Sequence, residues 1–200
     1  MEYLVFVGMI LALFGSASYI KEMLKGKVKP NRISWLMWSV APLIATAAAI
    51  SEGVTLAVIP VFAAGLGPLI VLVVSLFKKD AYWKITKLDY GCGILSLLAL
   101  ILWYITKDPI VAIIFSIASD GLASIPTLLK SWKHPETEDS IAYFTGLLSA
   151  CTSFAAVSGE WSFATIAYPV YLIIATGLTT IFIERKRISK IITPIMHHPN

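Results

Sequence analysis

Seven long apolar segments dominate the sequence. Six contain no charged residue, and the seventh contains a single carboxylate, Asp120. Each spans roughly 17–24 residues, enough for an α-helix to cross about 30 Å of hydrocarbon, and too long and unalternating for membrane strands. The segments are Tyr3–Ile20, Ile33–Ser51, Val54–Phe77, Tyr90–Thr106, Pro109–Leu129, Ile141–Gly159 and Trp161–Ile183. Only 14% of residues are charged, too few to cover a soluble surface. We therefore predict an all-α integral membrane protein with seven transmembrane helices.

The basic residues predict the orientation of the chain. Of the 16 lysines and arginines, all but Lys107 follow the first, third, fifth or seventh segment. Basic residues mark cytoplasmic loops, so the N-terminus is predicted outside and the C-terminus inside. This bias explains the net charge of +4, which is therefore no sign of a nucleic-acid partner. Short loops and the lack of targeting signals favour the inner (plasma) membrane of a prokaryote.

A weak internal repeat divides the chain. "LKGKVKP" (Leu24–Pro30) matches "LKSWKHP" (Leu129–Pro135) at an offset of 105, and further identities follow in order with a small drift. Helices 1–3 therefore correspond to helices 5–7. Helix 4, placed between them, makes the two three-helix repeats parallel, a 3+1+3 plan in which sites lie between the halves near the midplane. The predicted units are 1–77, 78–108 with helix 4, 109–184, and a cytoplasmic tail, 185–200.

This layout resembles that of the PQ-loop superfamily, which includes the SWEET sugar transporters and PnuC-type vitamin transporters. At residue level the resemblance rests on "SIPTLLKSWKHPETEDSIAYFTGLLSA" (Ser124–Ala150), and "KPNRISW" (Lys29–Trp35) is similar to a prokaryotic subgroup. Pro126-Thr127 stands where that superfamily usually has Pro-Gln, and the first repeat has Lys21-Glu22 there. The resemblance implies the seven-helix fold and a transport function; it names no solute.

Asp120 is the strongest candidate for a functional residue. It lies about half-way along predicted helix 5, where a charge is costly and usually faces a cavity or a partner. Ser116, Asp120, Ser124 and Thr127 share one helical face, which predicts a polar stripe toward the bundle interior. Low dielectric favours the neutral carboxyl, so Asp120 is predicted to bind solute or to carry a proton. The alternative is a structural hydrogen bond between helices.

An aromatic side chain from each repeat is predicted to flank the solute. Ser34, Trp38, Pro42 and Thr46 share a face of helix 2, and the repeat aligns them with Ser140, Phe144, Leu148 and Thr152. Trp38 and Phe144 could stack on a ring, with Ser116, Ser124 and Thr152 as polar contacts. The alternative for these aromatics is an interfacial belt, and that interpretation is preferred for Trp35.

Prolines and loop charges suggest moving parts. Pro42, Pro60, Pro126 and Pro169 fall inside predicted helices, where each removes a backbone hydrogen bond and can act as a hinge. At the inner mouth, Lys29 or Arg32 could pair with Glu136, Glu138 or Asp139 to form a gate, although solvated loop charges would look the same.

These features favour transmembrane transport of a small polar solute, sugar or vitamin-like, by alternating access. Proton linkage through Asp120 is part of that hypothesis. The alternative is a membrane receptor or accessory protein that uses the same fold without transport. An enzyme is not predicted, because there is one mid-membrane carboxylate and no buried histidine or catalytic pair. No cofactor or metal site is expected. The predicted partners are the lipid bilayer and the solute, in a monomer or homo-oligomer.

Overall fold

The computed structural model describes residues 3–51, 59–78, 83–107, 109–154 and 163–196. Within these ranges the chain forms seven α-helices, one short 3₁₀ helix and no strand. The all-α prediction with seven helices is therefore confirmed. The helices are α1 (Leu4–Leu24), α2 (Arg32–Ser51), α3 (Ile59–Phe77), α4 (Lys87–Thr106), α5 (Pro109–Lys133), α6 (Ser140–Ser153) and α7 (Phe163–Met196), with the 3₁₀ helix at Pro135–Thr137.

Several helices run beyond the apolar segments that predicted them. α5 continues to Lys133 and α7 to Met196, past the predicted ends at Leu129 and Ile183. α4 begins earlier, at Lys87, because Thr86 and Asp89 form a capping box at its N-terminus. Backbone hydrogen bonding does not stop where hydrophobicity stops, so the polar turns stay helical. The predicted start of helix 3 and end of helix 6 lie outside the described residues.

The helices pack in a defined set of pairs. α3 packs against both α1 and α2, and α7 packs against both α5 and α6. α1 also packs on α6, and α2 packs on α5. α4 packs mainly on α5 and more lightly on α2. Six helices thus surround the centre of the molecule, with α4 on its flank.

The charged linkers meet at one end of the bundle. The Lys29 N–H donates to the Thr137 carbonyl at 3.0 Å, and the Trp83 N–H donates to the Pro30 carbonyl at 3.0 Å. These two bonds join the segments that follow α1, α3 and α5. Arg185 of α7 reaches the same end, where its Nη1 donates to the Ser131 carbonyl at 3.1 Å.

The bundle exposes large apolar side chains and buries polar ones beside its apolar core. Each of the seven helices exposes large apolar side chains, among them Phe14, Ile94 and Ile174. Among the described residues, the interior buries apolar clusters together with many hydroxyls and four carboxylates, those of Asp89, Asp120, Glu138 and Asp139. Three helical stretches are long and apolar enough to cross a membrane, by length and composition: Leu4–Leu24, Lys87–Thr106 and Ile166–Ile188. Phe62–Phe77 is a shorter apolar helix.

Glycines bring α1 and α6 close together. A Cβ at Gly15 would meet the Thr145 hydroxyl and the Ala142 carbonyl, and a Cβ at Gly8 would meet the Thr152 hydroxyl. The Ser149 hydroxyl donates to the Gly8 carbonyl at 2.8 Å across this interface. The small side chains on this face of α1 therefore allow backbone approach, as small residues do between membrane helices.

Candidate functional site

A cavity of about 170 Å³ lies between the helices. Residues of α1, α2, α3, α5, α6 and α7 line it, and among the described residues α4 contributes none. Asp120 and Ser124 are its polar lining from α5, while Trp35, Trp38, Tyr143 and Tyr168 supply aromatic walls. The cavity is therefore an apolar, ring-lined space with one carboxylate.

Asp120 is held by a hydroxyl network rather than by a cation. Its side chain is 6% exposed, and its Oδ2 accepts a hydrogen bond from the Tyr171 hydroxyl at 2.8 Å. The Ser124 hydroxyl lies 3.4 Å from that of Tyr171 and donates to the Asp120 carbonyl at 2.9 Å. No lysine, arginine or histidine occurs among the described residues that line the cavity. The carboxylate thus has phenol and hydroxyl neighbours but no countercharge there.

The aromatic wall on α2 extends from the core into the cavity. The Trp35 and Trp38 rings pack edge to face with centroids 5.3 Å apart, and Tyr19 packs on Trp35 at 4.6 Å. Trp35 is only 5% exposed, so its assignment to an interfacial belt was wrong: it is core and cavity lining. The Trp38 indole Nε1 is buried and has no hydrogen-bond partner within the described part of the chain.

Some residues of the predicted polar stripe on α5 line the cavity, and others contact α2. Asp120 and Ser124 line the cavity, whereas Ser116 is not among its lining residues. The Thr127 hydroxyl donates to the Ser34 hydroxyl at 3.2 Å, and Ser34 donates to the Ala123 carbonyl at 2.6 Å. The lower part of the stripe therefore joins α5 to α2.

Phe144 and Thr152 do not reach the cavity. Phe144 is 49% exposed, and the aromatic that α6 presents to the cavity is its neighbour Tyr143. One residue along a helix is a rotation of about 100°, so this difference moves the aromatic from the outer to the inner face. The Thr152 hydroxyl donates to the Ser149 carbonyl at 2.7 Å and lies against Gly8 in the α1–α6 interface.

The predicted hinge prolines lie within continuous helices. α2 runs through Pro42 and α5 runs through the buried Pro126. Pro169 lies inside α7, and of Pro60 only its place as the second residue of α3 is described. Pro68 of α3, by contrast, lines the cavity. Their role as hinges stays a prediction.

The residues predicted to form the gate take other partners. Arg32 donates to the Ser75 hydroxyl and carbonyl on α3, and Glu136 lies 3.6 Å from His134 Nδ1. Asp139 caps α6 by accepting from the Ile141 N–H at 3.0 Å. Lys29 meets Thr137 through its backbone N–H. The predicted pairs across the mouth are therefore replaced by helix caps and backbone contacts.

A buried ion pair that was not predicted from the sequence lies at this end of the bundle. Lys130 Nζ lies 2.6 Å from Glu138 Oε1, with both side chains at most 1% exposed. Lys130 also donates to the carbonyls of Lys29 and Thr137, so it ties the segment after α1 to the segment after α5. The Tyr143 hydroxyl donates to Glu138 Oε2 at 3.1 Å. We call Lys130, Glu138 and Tyr143 the inner cluster; Tyr143 joins it to the cavity wall.

No protein-family model matches the chain, and neither a curated protein nor a solved structure matches it. The resemblance to the PQ-loop superfamily therefore stays a prediction.

Proposed function

We propose that this chain is a seven-helix membrane transporter that carries a small polar solute by alternating access, with proton linkage through Asp120. The observation that carries the proposal is the cavity, because it is lined by α1–α3 and α5–α7 and contains the buried carboxylate.

Insertion of all seven helices in a membrane is supported by their surfaces. Apolar side chains face outward on every helix, while serines and Asp120 are buried inside. A lipid surrounding favours this arrangement, since polar groups within the hydrocarbon layer must find partners inside the protein. The basic linkers that meet at one end fit a cytoplasmic face, with the N-terminus outside, in the inner membrane of a prokaryote.

The 3+1+3 arrangement is supported by the packing pairs. Exchanging α1, α2 and α3 for α5, α6 and α7 turns the α1–α3 contact into α5–α7 and α2–α3 into α6–α7. It turns α1–α6 into α5–α2, which is also present. Two equivalent three-helix units related by a pseudo-twofold axis would produce this pattern, with the cavity on or near that axis.

Proton linkage follows from the surroundings of Asp120. A carboxylate in a low-dielectric cavity needs neutralisation, and the cavity lining supplies hydroxyls but no cation. A proton can fill that role and leave when the site opens to water. Movement of the two halves about the cavity would then couple solute transport to the binding and release of a proton at Asp120.

Ligand-dependent stability gives the first test. Purified protein is heated with sugars, amino acids, nucleosides, amines and vitamins at two pH values, since a ligand at one hundred times its Kd adds about 2.7 kcal/mol to unfolding. Compounds that stabilise the protein are then tested for counterflow in proteoliposomes. We expect Asp120→Asn to abolish counterflow and Glu184→Gln, which also neutralises a carboxylate but lies in the C-terminal half of α7 away from the cavity lining, to retain it.

Two results would contradict the proposal. Counterflow that persists unchanged in Asp120→Asn would remove that residue from the site. Specific binding without counterflow of any stabilising compound would instead favour the receptor or accessory alternative.

A further inference from the structure

We infer that the solute is a small organic cation, a ring-bearing amine whose ammonium group forms an ion pair with the Asp120 carboxylate. The inference rests on the proposed function, since it assigns a ligand class to the same cavity, but binding tests it separately from transport.

Charge is the first reason. Asp120 is the one carboxylate among the described lining residues, and no basic side chain accompanies it. Among the described residues the one side-chain donor to Asp120 is the Tyr171 hydroxyl, which bonds Oδ2, so Oδ1 has no donor from this part of the chain. A neutral ligand would leave neutralisation of this carboxylate to a proton, whereas an ammonium group compensates the ionised carboxylate directly.

Size is the second reason. At about 170 Å³ the cavity is close to the engineered cavity of roughly 150 Å³ that binds benzene. It therefore has room for a single ring with a short substituent.

The nature of the walls is the third reason. Trp35 and Trp38 on α2 face a space that Tyr143 and Tyr168 also line. Aromatic faces attract cations, and Trp is the strongest of them, which is why quaternary and alkylated amines bind in aromatic cages.

One carboxylate cannot hold a proton and an ammonium group at the same time. The titratable groups that face Asp120 are the phenols of Tyr168 and Tyr171 on α7, and α6 adds Tyr143 to the cavity. None of these supplies a second carboxylate. Amine and proton therefore compete for Asp120, and the coupled process is exchange of a proton for the organic cation rather than movement of both in one direction.

Two isosteric probes test the ligand class. Binding of benzylamine and of benzyl alcohol is measured by calorimetry to purified wild-type protein, Asp120→Asn, Asp120→Glu and Glu184→Gln. We expect benzylamine to bind wild type about tenfold to about 150-fold more tightly than benzyl alcohol, the range given by one hydrogen bond to a charged group. Asp120→Asn should lose this preference, whereas Asp120→Glu and Glu184→Gln should keep it.

The wild-type comparison decides the matter even if a variant fails to fold. Failure of benzylamine to bind, or equal binding of the two probes, would overturn the cation inference. A preference that survives in Asp120→Asn would also overturn it, because the charge would then be recognised elsewhere. Counterflow of a neutral solute would refute only the cation inference, while amine binding without counterflow would refute only transport.

Discussion

Removing the Lys130 charge should cost more stability than removing the charge of its partner. The Lys130–Glu138 pair is buried, with 2.6 Å between Nζ and Oε1. Lys130→Met leaves Glu138 as a buried anion whose remaining donor is the Tyr143 hydroxyl. Glu138→Gln leaves Lys130 with two backbone carbonyls, those of Lys29 and Thr137, and keeps an amide at the site. The first variant therefore leaves a buried negative charge without a cation, whereas the second leaves a buried positive charge that keeps two carbonyl acceptors.

The magnitudes follow from these partners. Breaking a buried pair and leaving an unpaired charge costs about 3–5 kcal/mol, which we expect for Lys130→Met. Replacing the acceptor while Lys130 keeps its carbonyls costs about 1.5–3 kcal/mol, which we expect for Glu138→Gln. Adding Glu138→Gln to Lys130→Met removes the stranded anion, so the double variant should be more stable than Lys130→Met alone.

Equilibrium unfolding in mixed micelles, followed by tryptophan fluorescence, measures these differences in the free energy of unfolding. Arg187→Met is the matched control, because its pair with Glu184 leaves the Arg187 side chain 81% exposed and such pairs contribute little. Additive effects in the double variant, or a Lys130→Met loss no larger than that of the control, would refute the reasoning about a buried, coupled pair.

Other consequences of the structure can be measured by unfolding or by chemical labelling. Asn31→Ala removes the acceptor for the first N–H groups of α2 and a bond to the α4 cap, and should cost about 1–3 kcal/mol in unfolding; no measurable loss would contradict its capping role. Gly15→Val drives a side chain into α6 and should cost about 1–3 kcal/mol, whereas Gly91→Ala, with nothing within 4 Å, should not destabilise; equal effects would contradict the close packing. In inverted and right-side-out vesicles, Glu136→Cys should react with a membrane-impermeant maleimide from the cytoplasmic side and Lys107→Cys from the other; labelling from the same side would refute the proposed orientation.

The sequence was sufficient to predict helices but not their angular positions. Apolar runs of membrane-spanning length identified all seven helices, because hydrophobic length is a property of the segment alone. Which aromatic faces the cavity depends on a rotation of about 100° per residue. The repeat alignment, with one inserted residue, could not fix that rotation, so it selected Phe144 in place of Tyr143.

The inner cluster escaped prediction for a different reason. Lys25 and Lys130 occupy equivalent places in the two repeats, and both served equally as markers of the cytoplasmic side. In the structure Lys25 is largely exposed and pairs with Glu22, whereas Lys130 is buried against Glu138. Burial of a loop-adjacent lysine depends on how the linkers fold over it, which neither composition nor spacing records. Asp120 was found because a lone carboxylate in an apolar run is visible in any arrangement of the helices.

Tyr143 joins the wall of the cavity to the inner cluster. Its ring forms part of the cavity wall while its hydroxyl donates to Glu138. A ligand that turns this ring breaks that hydrogen bond, and loss of the bond frees the ring in turn. A bond to a charged group contributes about 1.5–3 kcal/mol, so occupancy at one place can shift the equilibrium at the other by about tenfold to about 150-fold. If the chain transports a solute as proposed, this one phenol would make ligand binding in the cavity and opening of the inner cluster reciprocal events.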